Sequence, residues 1–199
     1  MPADPFVTGL VLAAGGSSRL GRPKQLLPYR GATLLDAVLE TAHDCAFDQL
    51  LVALGGAGDE VRRRVDLGDA DVVVNTGYGS GCSSSIAAAM EALDPRCDVL
   101  VLLLGDQPGV TSATVARLLA GRRDAPLAVC RYEDERGHPF AFARRVFPEL
   151  ADLHGDKAVW KLLDRRPDDV AEVAVPGPVP LDVDTWDDYE AVLSAAPAP

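Results

Sequence analysis

The segment Phe6-Val-Thr-Gly-Leu-Val-Leu-Ala-Ala-Gly-Gly-Ser-Ser-Arg-Leu-Gly-Arg-Pro-Lys24 starts as one kind of structure and ends as another. Phe6–Ala14 is a continuous apolar run that stops at Gly15-Gly16. A run without polar alternation suits a strand covered on both faces, as in a parallel sheet. The stretch from Leu12 to Lys24 then turns small and cationic. Its three glycines and two serines leave many backbone N–H groups free to point inward. Such a nest binds anionic oxygens, and Arg19 and Lys24 add positive charge at the same place. A flexible turn with two solvated cations would use the same residues, so composition alone leaves both open. Gly16–Gly21 has GxxxxG spacing, but Arg22-Pro23 stands where a Walker A loop carries Lys-Ser/Thr, and GxGxxG is absent.

Strand and helix signals alternate outward from this segment. Helical spacing covers Thr33–Asp44, with Leu34, Leu35, Val38, Leu39 and Ala42 on one stripe and Thr33 as N-cap. Gln49–Leu54, Asp71–Val74 and Cys97–Leu104 read as strands. Asp59–Val65, Ser83–Leu93 (capped by Ser83 or Ser84) and Thr111–Leu119 read as helices. Further on come strands near Leu127–Arg131, Pro139–Phe142 and Val170–Val175. Helices follow near Arg144–Leu150, Lys157–Leu163 and Thr185–Leu193. This alternation predicts an α/β chain with a mainly parallel sheet. Such sheets bind ligands beyond the carboxyl ends of their strands. The loops after Ala14, Asn75, Leu104 and Val183 are therefore the places for a site.

The chain has 199 residues, a length that suits one domain, 1–199, with loose tails at 1–5 and 195–199. Its formal net charge of -11 disfavours a nucleic-acid polymer as partner. A phosphorylated ligand would need positive charge supplied locally. No apolar stretch approaches the roughly 20 residues that span a bilayer, and the N-terminus lacks a signal-peptide pattern. Cys45, Cys82, Cys97 and Cys130 are widely spaced and read as free thiols in a reducing cytoplasm, without disulfides or zinc. A monomer is the default.

Asp106 follows the apolar strand Val99–Leu104, where a carboxylate reaches a crevice without being buried. Beside a triphosphate its natural role is to hold Mg²⁺; an ordinary Asp-x-Pro turn is the other reading. Asp184 or Thr185 would cap the last helix, with Asp187 and Asp188 in its first turn. Asp182 faces away from Asp184 by strand alternation. Asn75–Ser85, rich in glycine and hydroxyls, joins a strand to a helix and could line a ligand.

The first loop resembles the signature LAAGxSxRxGxPK of the molybdenum cofactor nucleotidyltransferase family, with Leu12, Ala13, Ala14, Gly15, Ser17, Arg19, Gly21, Pro23 and Lys24 in register. Gly105-Asp-Gln-Pro108, Gly137-His-Pro139 and Gly155-Asp-Lys157 resemble further motifs of that family, and so does Asp182-Val-Asp184-Thr-Trp-Asp187-Asp188, with Trp186 where proline is usual. The resemblance implies a Rossmann-like three-layer α/β/α sandwich of the nucleotide-diphospho-sugar transferase type. It implies a Mg²⁺-dependent enzyme that transfers CMP from CTP to the terminal phosphate of molybdopterin cofactor, releasing pyrophosphate. Lys24, Arg19 and Asp106 would be catalytic, and Asp106 and Asp184 would hold the metal. Leu12, Ala13, Ala14, Gly15, Gly16, Ser17, Ser18, Arg19, Lys24 and Asp106 would surround the nucleotide phosphates, with Gly81, Cys82 and Ser83 at the base. His138 and Lys157 would meet the acceptor. The Ala-Ala-Gly variant is similar to the cytidylyltransferase branch. A guanylyltransferase, a sugar-phosphate nucleotidyltransferase, or a carrier that delivers cofactor to a molybdoenzyme remain the alternatives.

Overall fold

The computed structural model describes residues 4–155 and 157–195. Its strands are β1 (Val7–Ala13), β2 (Pro28–Tyr29), β3 (Ala32–Thr33), β4 (Gln49–Leu54), β5 (Asp71–Val74), β6 (Val99–Leu104), β7 (Leu127–Arg131), β8 (Arg136–Ala143) and β9 (Val170–Ala174). The α-helices are α1 (Leu34–Asp44), α2 (Gly58–Arg64), α3 (Cys82–Met90), α4 (Ser112–Arg122), α5 (Phe147–Ala151), α6 (Ala158–Arg165) and α7 (Trp186–Ala195). Seven strands form one sheet in the order β5-β4-β1-β6-β8-β7-β9. Within this sheet only β8 runs against its neighbours and the other pairings are parallel; β2 and β3 form a separate antiparallel pair. The mainly parallel α/β sheet expected from the sequence is therefore present.

Strand alternation sends residues to two cores. Val11, Val52, Leu54, Val101 and Leu103 pack with Leu35, Val38, Leu39, Val115 and Leu118 of α1 and α4. Leu10, Leu51, Leu100 and Leu102 pack on the opposite face with Ile86, Leu150, Val159 and Leu162 of α3, α5 and α6. Period-two alternation in the strands and a helical stripe on each side yield three layers. A third cluster, with Leu20, Leu27, Leu34, Val183 and Val192, lies under the first loop and α7. It joins segments far apart in sequence directly beneath the site.

Helix α1 opens with a capping box: Asp36 N–H donates to Thr33 Oγ1 at 3.1 Å, and Thr33 N–H donates to Asp36 Oδ2 at 2.9 Å. Helix α3 differs from expectation. Its cap is Gly81, not Ser83 or Ser84, and it ends at Met90. Gly81 sits at φ +99°, a conformation that favours glycine and brings Cys82 into the first turn. Ser84 Oγ donates back to the Gly81 carbonyl at 2.8 Å instead of capping. Helix α4 runs three residues past the expected Leu119, with Thr111 outside it as the cap. Among the described residues, no helix is long and apolar enough to cross a membrane.

Candidate active site

The chain leaves β1 for β4 and β5, then returns to the other side of β1 as β6. A crevice forms where the winding direction reverses. Leu12 pairs with Leu104 across this point, so the loops after β1 and β6 emerge side by side. Gly105 N–H donates to the Leu12 carbonyl at 2.9 Å, and a Cβ on Gly105 would lie 2.9 Å from Ala13 Cβ. Only glycine allows this approach, and it brings Asp106 against the first loop.

That loop folds on itself. Ser17 carbonyl accepts from Leu20 and Gly21 N–H at 3.1 and 3.2 Å, and Ser17 Oγ accepts from Lys24 N–H at 2.9 Å. Ser17 adopts φ +49°, and its side-chain bond to Lys24 holds that turn. Gln25, buried behind the loop, donates from its amide to the Ala13 and Gly15 carbonyls at 2.6 and 3.2 Å. The loop borders a cleft of about 450 Å³. Leu12, Ala13, Ala14, Gly15, Gly16, Ser18, Lys24, Gly81, Cys82 and Asp106, all expected at the nucleotide, line it. Ser17 instead forms the turn, and Arg19 projects outward with its side chain 64% exposed.

The charged centre joins residues far apart in the chain. Lys24 Nζ forms ion pairs with Asp106 and, at 2.9 Å, with Asp184 Oδ1. Arg19 reaches the other Asp184 oxygen at 2.9 Å. Val183 N–H donates to the Asp106 backbone carbonyl at 3.2 Å, which sets Asp184 beside Asp106. Thr185 and Asp188 then exchange hydrogen bonds at the start of α7, which makes Thr185, of the two expected candidates, the cap, with Asp188 as its partner. Burial pushes the Asp106 carboxyl upward; Lys24 opposes this, while Asp182 and Asp184 add to it. Burial alone would lower Lys24, but Asp106 and Asp184 outweigh it and its pKa is raised. The hydrogen bond from Lys24 lowers that of Asp184. One buried ammonium thus faces more carboxylate than it neutralises. Two carboxylates that already bracket a cation fit a hard divalent ion. Among the described residues no group of three or more His, Cys, Asp or Glu gathers at one point, so phosphate oxygens and water would complete such a shell.

The far wall comes from residues 75–85. Asn75 is buried and donates to Ser84 and Ser85 Oγ at 2.8 and 2.9 Å, while its oxygen accepts from Gly77 N–H at 2.8 Å. It shapes the loop from beneath. Tyr78 lines the cleft beside Gly16, and its ring lies so close to Gly55 that a Cβ there would stand 2.9 Å from it. Ser83 and Ser85 are both buried, and of the two it is Ser85 that borders the cleft, not the expected Ser83. Because the helix starts at Cys82, each residue turns about 100° from the last, which turns Ser83 off the cleft lining. Gln25, Gly79, Leu104 and Gly105 also line the cleft; Gly79 and Gly105 lie in segments marked from the sequence, but none of the four was expected as a nucleotide contact. Gln25 was hidden by ending the motif at Lys24.

The two expected acceptor residues lie apart from this cleft lining. His138 is half-buried against Phe140 and Trp160, with ring centroids 4.2 and 6.3 Å away. Burial pushes its pKa down to about 3, which favours the neutral imidazole in the unliganded protein. Lys157 is exposed at the start of α6. Cys82 Sγ lies 3.9 Å from the Gly155 carbonyl, which ties the nucleotide wall to the loop before Lys157. Asp156 of that motif lies outside the described residues.

The description "MobA-like NTP transferase domain" matches residues 9–170. Nicotine blue oxidoreductase of Paenarthrobacter nicotinovorans is 36% identical over 172 residues, 82% of this chain and 84% of that protein. Rv0371c of Mycobacterium tuberculosis H37Rv has a crystal structure that superposes with a TM-score of 0.91 at 51% identity, over 97% of this chain and 100% of that one. A manganese complex of Rv0371c superposes with a TM-score of 0.87 at 49% identity, over 96% and 100% of the two chains. A nucleotidyl transferase from Methanothermobacter thermautotroptrophicus, 24% identical with a TM-score of 0.81 over 95% and 96% of the two chains, shares the fold. With its glycine-rich first loop at the switch point and its domain matched from β1 to β9, the chain belongs to the MobA-like NTP transferase family and is a nucleotidyltransferase.

Proposed function

We propose that the chain transfers CMP from CTP to the terminal phosphate of molybdopterin cofactor, in the cytoplasm, with pyrophosphate leaving. The observation that carries this reading is the Lys24 ammonium held between Asp106 and Asp184 at the mouth of the cleft. Those carboxylates would hold Mg²⁺, which supplies neutralising charge to the triphosphate. The first loop would receive the phosphates on its backbone amides. Lys24, and Arg19 at the rim, would offset charge growing on the departing pyrophosphate. Gly81 and Cys82 would flank the base and ribose. The acceptor phosphate is already ionised, so no side chain need take its proton. Catalysis is then positioning and charge neutralisation. Lys157 would meet the acceptor phosphate, and His138, being neutral, would meet its uncharged part. The product could pass directly to a molybdoenzyme. Preference for CTP rests on Ala13-Ala14-Gly15.

Pyrophosphate release measured with each of the four nucleoside triphosphates and molybdopterin cofactor tests the reading. Release with CTP supports it; release with GTP alone makes the protein a guanylyltransferase. Cofactor binding without release from any triphosphate makes it a carrier. A redox reading has one observation behind it, the name of the relative from Paenarthrobacter nicotinovorans. Turnover of nicotine blue with a supplied redox co-substrate, and no pyrophosphate released from any triphosphate, would favour that instead.

A further inference from the structure

We propose that Lys24 serves as the resident cation of the Asp106–Asp184 pair, so that a divalent ion gains these carboxylates only as a triphosphate draws the lysine away. This rests on the nucleotide-and-metal reading above and adds an order of events to it. Lys24 Nζ spends donors on both carboxylates at once, pairing with Asp106 and lying 2.9 Å from Asp184. The Lys24 and Asp106 side chains are each only 13% exposed, so water competes weakly for either. The ammonium takes one oxygen of each carboxylate, Asp106 Oδ2 and Asp184 Oδ1, and Arg19 takes Asp184 Oδ2, so a metal ion placed between the carboxylates would stand against positive charge already held there.

Release of the lysine is built into its surroundings. It sits at the end of the phosphate loop, with its own backbone N–H fixed to Ser17 Oγ at 2.9 Å. Its backbone is thus held while a flexible four-carbon stem carries the charge. The stem runs along the loop: a Cβ on Gly15 would lie 3.6 Å from Lys24 Cε. A triphosphate on the loop offers more negative charge than the carboxylates, at little cost in movement. The lysine would turn to the phosphates, and the carboxylates would be left without their partner. Nucleotide then promotes metal binding, and by linkage metal promotes nucleotide binding to the same degree. Arg19 does not replace the lysine in this role, because it is 64% exposed and reaches Asp184 alone.

Calorimetric titration with Mn²⁺ in the absence of nucleotide tests this on wild type, Lys24→Met and Lys24→Arg. Lys24→Met should bind Mn²⁺ at least about tenfold more tightly than wild type, and Lys24→Arg should stay weak. Mn²⁺ should also raise the melting temperature of Lys24→Met while leaving wild type unchanged at the same concentration. That measurement still reports if loss of the ammonium leaves the variant poorly folded. Tight Mn²⁺ binding by wild type without nucleotide would overturn the proposal and leave the transferase reading standing. So would a Lys24→Met protein that neither binds Mn²⁺ better nor gains stability from it. Absence of Mn²⁺ binding in every protein, even with a non-hydrolysable triphosphate, would overturn the proposal together with the metal reading.

Discussion

Over β1 and β6, side chains from positions 24, 106 and 184 meet in one charged cluster, whereas over β8 and α6 His138 lies among aromatic rings and Lys157 stands in solvent. The backbone of the first region is tied down at several points, while the Lys24 stem stays free to turn. Its parts are fixed by a glycine-only strand crossing at Gly105, by a self-bonded loop and by a capped helix. The second is held by ring packing and by a weak sulfur contact from Cys82. The contrast suits a two-substrate enzyme. Charge held in place suits the stabilisation of negative charge that develops in phosphoryl transfer.

The largest break in this contrast should come from Asp106→Asn. It keeps the shape of the side chain but removes a buried charge that pairs with Lys24. Pyrophosphate release should fall about 10³-fold with unchanged circular dichroism, comparable to losing a strong electrostatic contact in a transition state. Activity within a few-fold of wild type would remove Asp106 from the chemistry. Arg19→Ala should do less. The guanidinium is mostly solvated and touches Asp184 from outside, so its contribution is screened. A loss of about tenfold in kcat/KM for the triphosphate is expected, which equals roughly 1.4 kcal/mol. A loss as deep as that of Asp106→Asn would show that Arg19 turns inward during turnover.

The same two regions were unequally legible in the sequence. The first loop could be read because strand run, glycines and cations lie within nineteen consecutive residues, Phe6 to Lys24. Strand alternation is the ground for choosing Asp184 over Asp182; residues 181–183 form no strand, yet Asp184 is the one that pairs with Lys24. What stayed hidden depends on contacts between distant segments or on backbone angle. Nothing local marks Gln25 as the side chain that ties down the Ala13 and Gly15 carbonyls. Ser83 looked like a cap because serine favours that position. Gly81 at φ +99° took the role and started the helix at Cys82, which leaves Ser83 off the cleft lining. In the second region His138 carried only a short motif, and no local pattern reveals that Phe140 and Trp160 would close on it.

Lys157→Ala probes whether the second region belongs to the acceptor at all. The side chain is exposed, so the substitution should leave stability unchanged. The acceptor KM should rise about fivefold while the KM for triphosphate stays put, as expected for loss of one solvated charge contact. A change in the triphosphate KM instead would merge the two regions into one site.

The smallest effect concerns proton linkage. His138 is held neutral with a pKa of about 3, below the ordinary value of 6.5. The unfolded chain therefore takes up a proton between those values and the folded chain does not. Stability from this residue is complete above pH 6.5 and is lost as pH falls toward 3. Replacing His138 with Phe removes the titrating group while keeping a ring against Phe140 and Trp160. Denaturant midpoints measured from pH 7 down to pH 4 should fall less steeply for His138→Phe than for wild type. The carboxylates of the charged region titrate in both proteins, so the difference between the two curves belongs to the aromatic pocket. Identical slopes would mean that His138 is solvated enough to protonate in the folded state, which would make it a charged partner for an acceptor phosphate after all.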